Sequence, residues 1–443
     1  MARRQIMSRD MASARRVIKR LKRSPLVWQS GLGLILQTLG KGIGFLLTLF
    51  LARLLQASEF GVFAYGRNLI FLIAPLATLG YTSAATRYLP DYLVQEKFGE
   101  ANGFTRHTFL TVFFTGLALA GAAFIMLTFN PEIVENSNLR ALYAILPSTP
   151  FYALLFVLVS VGRSYGLTTL ALAPLLVLQP LAHLGLFFIA VALGAPVDGY
   201  TASLAFSVAT AIVSFGAFLW LRGAIPRAVL EARCVCHNRD WLGFSLPTAI
   251  GLAGSILMTR FPTLVLGFFS PNAEVGRFAI ILALAQVLAI PRDAITGALG
   301  PEIMRRLSEK DVPGLLLVLR RGVLFSVGVT FAGALVLWML GDFVLGLLGP
   351  SFAGSRLLLL LMIGDQLIQA SSLLLSAFLT IEARPRVNII ILCGSAFLCV
   401  VLATILASHM GAVGAALGSI GGSLAMLVAT AFVCWRKLSA IAR

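Results

Sequence analysis

Four cations interrupt long apolar runs: Lys41, Arg53, Arg260 and Arg292. An ionised side chain at mid-bilayer costs about 2.5–3.5 kcal/mol on insertion scales, so a retained one faces water or a partner. Ammonium and guanidinium groups neutralise phosphate and donate several hydrogen bonds to it. Lining one cavity, the four would hold a diphosphate or an acidic sugar and pass it across the membrane. Lys41 stands ten residues into its run, about 15 Å deep at about 1.5 Å per residue. Gly40, Gly42 and Gly44 beside it leave room for an incoming polar group. The pattern is not a phosphate loop, which needs G-x-x-x-x-G-K-[ST]. The competing uses of these cations are snorkelling and pairing with Asp293 or Asp365. Arg292 and Asp293 are adjacent, so on a helix they are not expected to face each other.

Asp365, flanked by Gln366 and Gln369, could bind a coupling cation, take a proton or hold a cavity arginine. Gln37, Gln179, Gln286 and His183 could offer hydrogen bonds to sugar hydroxyls, or join one helix to the next. Gly414, Gly418 and Gly422 have the small-xxx-small spacing of a helix-packing face. The five cysteines form no C-x-x-C and imply no disulfide framework. Cys234-Val235-Cys236-His237 lacks a second ligand pair, so a pair of reduced thiols is expected there, with no metal and no cofactor.

These residues need membrane helices to position them. The chain has 443 residues, 58 % hydrophobic and 12 % charged, with a mean hydropathy of +0.92. Soluble domains carry about 25 % charged residues, so a water-soluble enzyme is excluded, as are collagen, disordered and disulfide-scaffold classes. Twelve spans are expected, near 31–55, 62–86, 108–128, 141–161, 169–193, 200–221, 244–269, 278–299, 322–340, 356–379, 389–408 and 412–435. Eight prolines inside them, Pro75, Pro147, Pro150, Pro174, Pro180, Pro247, Pro262 and Pro291, favour bent helices.

The net charge is +17. Starting inside, the inner connections and tails carry 27 Lys/Arg and the outer ones 5. The positive-inside rule then puts both termini in the cytoplasm. The basic residues are scattered between apolar runs, which argues against nucleic acid as a partner. The basic segment 1–30 fixes orientation and could also lie on anionic lipid. The run that follows is too long for a cleavable signal core. The outer loops are short, the longest being 129–140 and 341–355. With no carboxylate pair in a long outer loop and no G-x-S-x-G, an enzyme is not expected. The inner loops 87–107 and 300–321 are expected to form surface helices.

The chain repeats itself. Glu59-Phe60-Gly61-Val62-Phe63-Ala64 returns as Glu274-Val275-Gly276-Arg277-Phe278-Ala279, offset by 215. Pro90-Asp91 returns as Pro301-Glu302, and Gly199 as Gly411, at offsets of 211 and 212. This period equals six spans, so the two halves share one orientation, as in carriers that alternate access between two bundles. The expected architecture is all-α and polytopic, with two six-helix pseudo-symmetric bundles, 31–221 and 241–435, around a central cavity. A cytoplasmic linker, 222–240, joins them, and a tail, 436–443, ends the chain.

Further stretches carry a resemblance. Leu54-Leu55-Gln56-Ala57-Ser58-Glu59-Phe60-Gly61, Thr86-Arg87-Tyr88-Leu89-Pro90-Asp91-Tyr92, Phe244-Ser245-Leu246-Pro247, Gly349-Pro350-Ser351-Phe352 and Gly411-Ala412-Val413-Gly414 resemble segments of Wzx-like oligosaccharide flippases. That group belongs to the clan that also holds multidrug antiporters. The resemblance runs from about residue 25 to 435. It implies movement of undecaprenyl-diphosphate-linked repeat units, of O-antigen or exopolysaccharide, from the inner to the outer leaflet of a bacterial inner membrane. It also implies a polysaccharide polymerase and chain-length proteins as partners beside the membrane lipids. One departure is Thr259-Arg260-Phe261-Pro262, where many relatives have Arg followed two residues later by Asp. Pro262 stands in that acidic place. The rival reading is a cation-coupled multidrug antiporter, whose cavity would want acidic walls, yet span one holds Lys41 and no acid.

Overall fold

A computed structural model describes residues 26–129, 136–309, 311–352, 354–381 and 385–441. The first 25 residues of the expected basic segment, and residues 130–135 of the expected outer loop 129–140, lie outside them. Helices dominate: α1 (Leu26–Ala77), α2 (Tyr81–Val94), α3 (Phe98–Phe129), α4 (Asn136–Ile145), α5 (Thr149–Ser164), α6 (Thr168–Ala173), α7 (Gln179–Ala192), α8 (Gly199–Ala224), α9 (Arg227–Leu230), α10 (Asn238–Phe269), α11 (Asn272–Gln286), α12 (Ala289–Ser308), α13 (Val312–Leu348), α14 (Arg356–Ile381) and α15 (Pro385–Ile441). Among the described residues nine helices are long and apolar enough to cross a membrane, and ten if the bent pair α11–α12 makes one span. Two of the nine are each a pair of helices. Gln56 (φ 62°) breaks α1 and Gly411 (φ 54°) breaks α15. With those breaks counted, the described helices correspond to the twelve expected spans.

Several boundaries differ from the sequence reading. The second span ends at Ala77 instead of continuing to 86. Pro75 lacks an N–H, and Leu79 (φ 47°) and Gly80 (φ 78°) take left-handed backbone, so a separate helix, α2, begins at Tyr81. Gly80 has a second reason to be glycine, because a Cβ there would lie 2.1 Å from the Ser245 carbonyl oxygen. The outer loop expected between spans one and two is reduced to the break at Gln56. Helix α3 starts at Phe98, ten residues before its expected span, so much of the expected inner loop is helix.

The described helices pack as two compact units. The first holds the described residues up to Leu47 together with Ile70–Ala249. Here small residues set the helix spacing. A Cβ on Gly116 of α3 would lie 2.7 Å from Pro150 Cα of α5, and one on Gly162 would lie 2.6 Å from Ala171 Cβ of α6. At the start of α10 the buried Trp241 donates from its indole nitrogen to the Tyr92 hydroxyl at 3.0 Å and meets Phe104 edge to face. The linker segment lies along α3: Val235 N–H donates to Gly99 O at 3.1 Å, and Gly103 leaves space for the Val235 carbonyl.

The second unit comprises Thr48–Leu69 and Ile250–Arg443. Thr48–Leu69 packs here although it precedes the linker in the chain. One core joins α12, α13, α14 and α15 through Ile303, Leu315, Leu319, Leu374, Phe378 and Met426. The two arms of α15 pack through the expected glycine face, with Gly418 against Ala403 and Gly422 against Cys399. The break at Gly411 is capped from α11, where Glu274 Oε1 accepts from the Ala412 N–H at 2.7 Å. A carboxylate at a helix N-terminus satisfies an open N–H and complements the helix dipole.

Candidate functional site

The expected site residues divide between the units. Gln37, Lys41, Gln179 and His183 belong to the first; Arg53, Arg260, Gln286, Arg292 and Asp365 belong to the second.

In the first unit, Lys41 is exposed on the first arm of α1. The three glycines beside it are not equivalent. Gly42 and Gly44 have open space where a side chain would stand, as expected. Gly40 instead packs against another helix, because a Cβ there would meet Leu176 Cβ at 2.6 Å. Gln37 is half-buried. Gln179 and His183 join α7 to α8. The Gln179 amide donates to Thr210 Oγ1 at 3.1 Å, and His183 Nε2 lies 3.0 Å from the Ala202 carbonyl oxygen. A carbonyl only accepts, so this contact places the proton on Nε2.

The second unit gathers a buried polar network. Arg292 of α12 is 8 % exposed, and its Nη1 lies 3.3 Å from both Gln366 Oε1 and Gln369 Oε1 of α14. The Gln369 amide donates to Asp365 Oδ2 at 2.7 Å, and Ser423 of α15 donates to Asp365 Oδ1 at 2.6 Å. Asp365 is 3 % exposed. The amides of Gln366 and Gln369 present oxygens to the cation, and Gln369 presents its nitrogen to the anion, so one side chain bridges both charges. Such a network is costly to break, because each member left alone would be a desolvated polar group. Arg292 also approaches Asp293, with Nε 3.6 Å from Oδ1. That corrects the expectation that these neighbours stay apart: the long arginine side chain folds back although the two Cβ directions diverge.

Arg260 lies on α10 in the same unit and donates from Nη1 to Asn68 Oδ1 at 3.4 Å. Asn68 is oriented by its own bond to the Ala64 carbonyl at 2.8 Å. A neutral amide therefore meets Arg260, and Pro262 is buried in the same helix. Arg53 is exposed near the break in α1, where Gln56 Nε2 donates to its carbonyl. Gln286 is half-buried at the end of α11. Two participants went unnoticed in the sequence. Asn68 is a lone amide in an apolar run, and Ser423 directly follows a packing glycine. Their polarity inside spans was the available signal. Among the described residues no cluster of three or more His, Cys, Asp or Glu could hold a metal ion.

No curated protein matches the chain. Among solved structures, the chain is similar to an inward-facing multidrug resistance MATE family transporter of the MOP superfamily, with TM-score 0.71 and 15 % identity, covering 96 % of this chain and 98 % of that one. It is also similar to a MATE transporter in complex with MaL6, with TM-score 0.67 and 14 % identity over 96 % and 98 % of the two chains. A third is a MOP superfamily transporter from Pyrococcus furiosus described as having a binding pocket of reverse polarity. There the TM-score is 0.57 and the identity 14 %, over 97 % of each chain. At these identities the likeness shows the fold. A family model described as polysaccharide biosynthesis protein matches residues 28–303, more than half of the sequence. The chain belongs to that polysaccharide biosynthesis family, and it is a multi-pass membrane protein whose fold is like that of the MATE transporters.

Proposed function

We propose that the protein is a flippase for lipid-linked oligosaccharide, moving undecaprenyl-diphosphate-linked repeat units from the inner to the outer leaflet by alternating access. The observation that carries this reading is the family match, which names polysaccharide biosynthesis. Cationic side chains inside the spans support it. Arg292, buried among amides, and Lys41, exposed beside open glycines, suit a diphosphate better than a cationic drug. On this reading the protein is a carrier and catalyses no bond-making step. It sits in a bacterial inner membrane with both termini cytoplasmic, and passes its cargo toward a polymerase and chain-length proteins. O-antigen, lipopolysaccharide and exopolysaccharide repeats are the candidate cargoes.

The fold relatives are multidrug transporters, so the rival is a cation-coupled drug antiporter. One experiment separates them. A host strain lacking the gene is scored for surface polysaccharide and for susceptibility to cationic drugs, with and without the gene restored. Loss of polysaccharide with unchanged drug susceptibility is expected. Normal polysaccharide with raised drug susceptibility would overturn the flippase reading.

A further inference from the structure

A cavity of about 380 Å3 lies within the first unit, between the start of α3, the ends of α5 and α8, and the short helix α9. None of the site residues above lines it. Its size falls within the range of ligand pockets, about 300–1,000 Å3.

Its polar groups stand together and suit an anion. Arg106 and Arg222 are exposed lining residues, and among the described residues no carboxylate pairs with either. Arg106 meets a weak partner, Cys234 Sγ, at 3.6 Å. Tyr165 is 1 % exposed and also lines the cavity. Its hydroxyl lies 3.5 Å from Thr105 Oγ1, at the outer limit of a hydrogen bond, while Thr105 spends its own proton on the Ala101 carbonyl at 2.8 Å. The phenol is therefore the donor in that long contact, and its proton would turn to a closer oxygen that entered the cavity. Asn102, by contrast, is committed to the Leu230 and Ala232 carbonyls.

The rest of the lining is apolar. Phe109 and Phe218 meet edge to face at 5.4 Å, and Leu221, Ile225 and Val229 are buried around them. Leu110 lines the cavity and is also 55 % exposed, so the cavity opens onto the apolar outside of the helices. Below Arg106, the exposed Leu110, Phe114 and Leu117 continue one face of α3; below Arg222, Leu219 and Phe215 do the same on α8. Residues four apart share a helix face. Each arginine thus heads an exposed apolar stripe. A free phosphate has no use for those stripes, whereas an acyl chain does.

We propose that this cavity binds an anionic phospholipid of the surrounding membrane. Arg106 and Arg222 hold the phosphate, Tyr165 donates to a head-group oxygen, and the start of one chain enters beside Phe109 and Phe218. The test is lipid titration of the purified full-length protein, read by native mass spectrometry, with phosphatidylglycerol, phosphatidylcholine and inorganic phosphate as probes. Phosphatidylglycerol should bind about tenfold more tightly than phosphatidylcholine, which is about 1.4 kcal/mol. The Arg106→Gln/Arg222→Gln pair should abolish that preference, and Tyr165→Phe should weaken phosphatidylglycerol about threefold by removing one hydrogen bond. Arg320→Gln/Arg321→Gln removes equal charge from the second unit and should leave the preference intact. Leu110→Trp keeps both charges and closes the mouth, so it should block the lipid. An equal loss in the Arg320/Arg321 pair, full binding in Leu110→Trp, or displacement by equimolar inorganic phosphate would each overturn the proposal.

Discussion

Gly61 and Gly276 pack against each other's turn of backbone. A Cβ on Gly61 would lie 1.9 Å from the Asn272 carbonyl oxygen, and one on Gly276 would lie 2.0 Å from the Ala57 carbonyl oxygen. Each glycine belongs to one copy of the repeated Glu-x-Gly motif. The contact is reciprocal, each glycine meeting the backbone beside the other within the second unit. It gives the repeat a physical reason: the crossing is too close for any side chain.

Gly61→Val or Gly276→Val should therefore push backbone apart and destabilise the protein by about 1–3 kcal/mol, the usual cost of overpacking. Gly42→Ala, where the space is open, should leave stability unchanged or raise it by about 0.5–1 kcal/mol through helix propensity. Thermal unfolding in detergent, compared between these variants, checks both directions.

The bridge through Gln369 should make Arg292 and Asp365 energetically dependent on each other. A double-mutant cycle with Arg292→Gln and Asp365→Asn is expected to show a coupling of about 0.5–3 kcal/mol. Gln369→Leu, which removes the bridge, should reduce that coupling. Additive single effects would show that the two charges act separately.

Lys41→Ala should abolish export of surface sugar while the protein still inserts in the membrane at normal abundance. Lys41→Arg keeps the charge and should retain part of the activity. Quantified surface polysaccharide, normalised to membrane protein, reads the result. Undiminished export in Lys41→Ala would remove this residue from the transport path.

Asp311 caps the start of α13 by accepting from the Gly314 N–H at 2.9 Å, and it pairs with Arg306. The cap first, and the arginine second, hold its carboxyl below the ordinary range. A depressed folded value means that the stabilisation is present above the unfolded value, about 3.9, and is lost as pH falls through the folded one. Melting temperature should therefore decline below about pH 4, and Asp311→Asn should flatten that decline.

Cys234 and Cys236 are exposed in the linker, whereas Cys399 and Cys434 are buried. If the linker is cytoplasmic, a membrane-impermeant maleimide should label intact cells poorly and permeabilised cells strongly. The Cys234→Ser/Cys236→Ser variant should lose that difference.

The sequence by itself determined the class of molecule and much of its plan. Apolar run lengths fix where a chain can cross a bilayer, and the glycine spacing at Gly418 and Gly422 fixed a packing face. Both signals are local and periodic, so one strand of text carries them. The repeated Glu-x-Gly motif was legible in the sequence, but not that Gly61 and Gly276 meet, because that contact joins segments 215 residues apart. The turn at Leu79 and Gly80 was equally hidden, since a left-handed backbone leaves little trace in an apolar run. Partnerships inside the spans belong to tertiary structure alone. That Asn68 meets Arg260, and that Gln369 stands between Arg292 and Asp365, follows from how helices are rotated about their axes. A few tens of degrees of rotation decide which polar group finds which, and only the packing of neighbouring helices sets that angle.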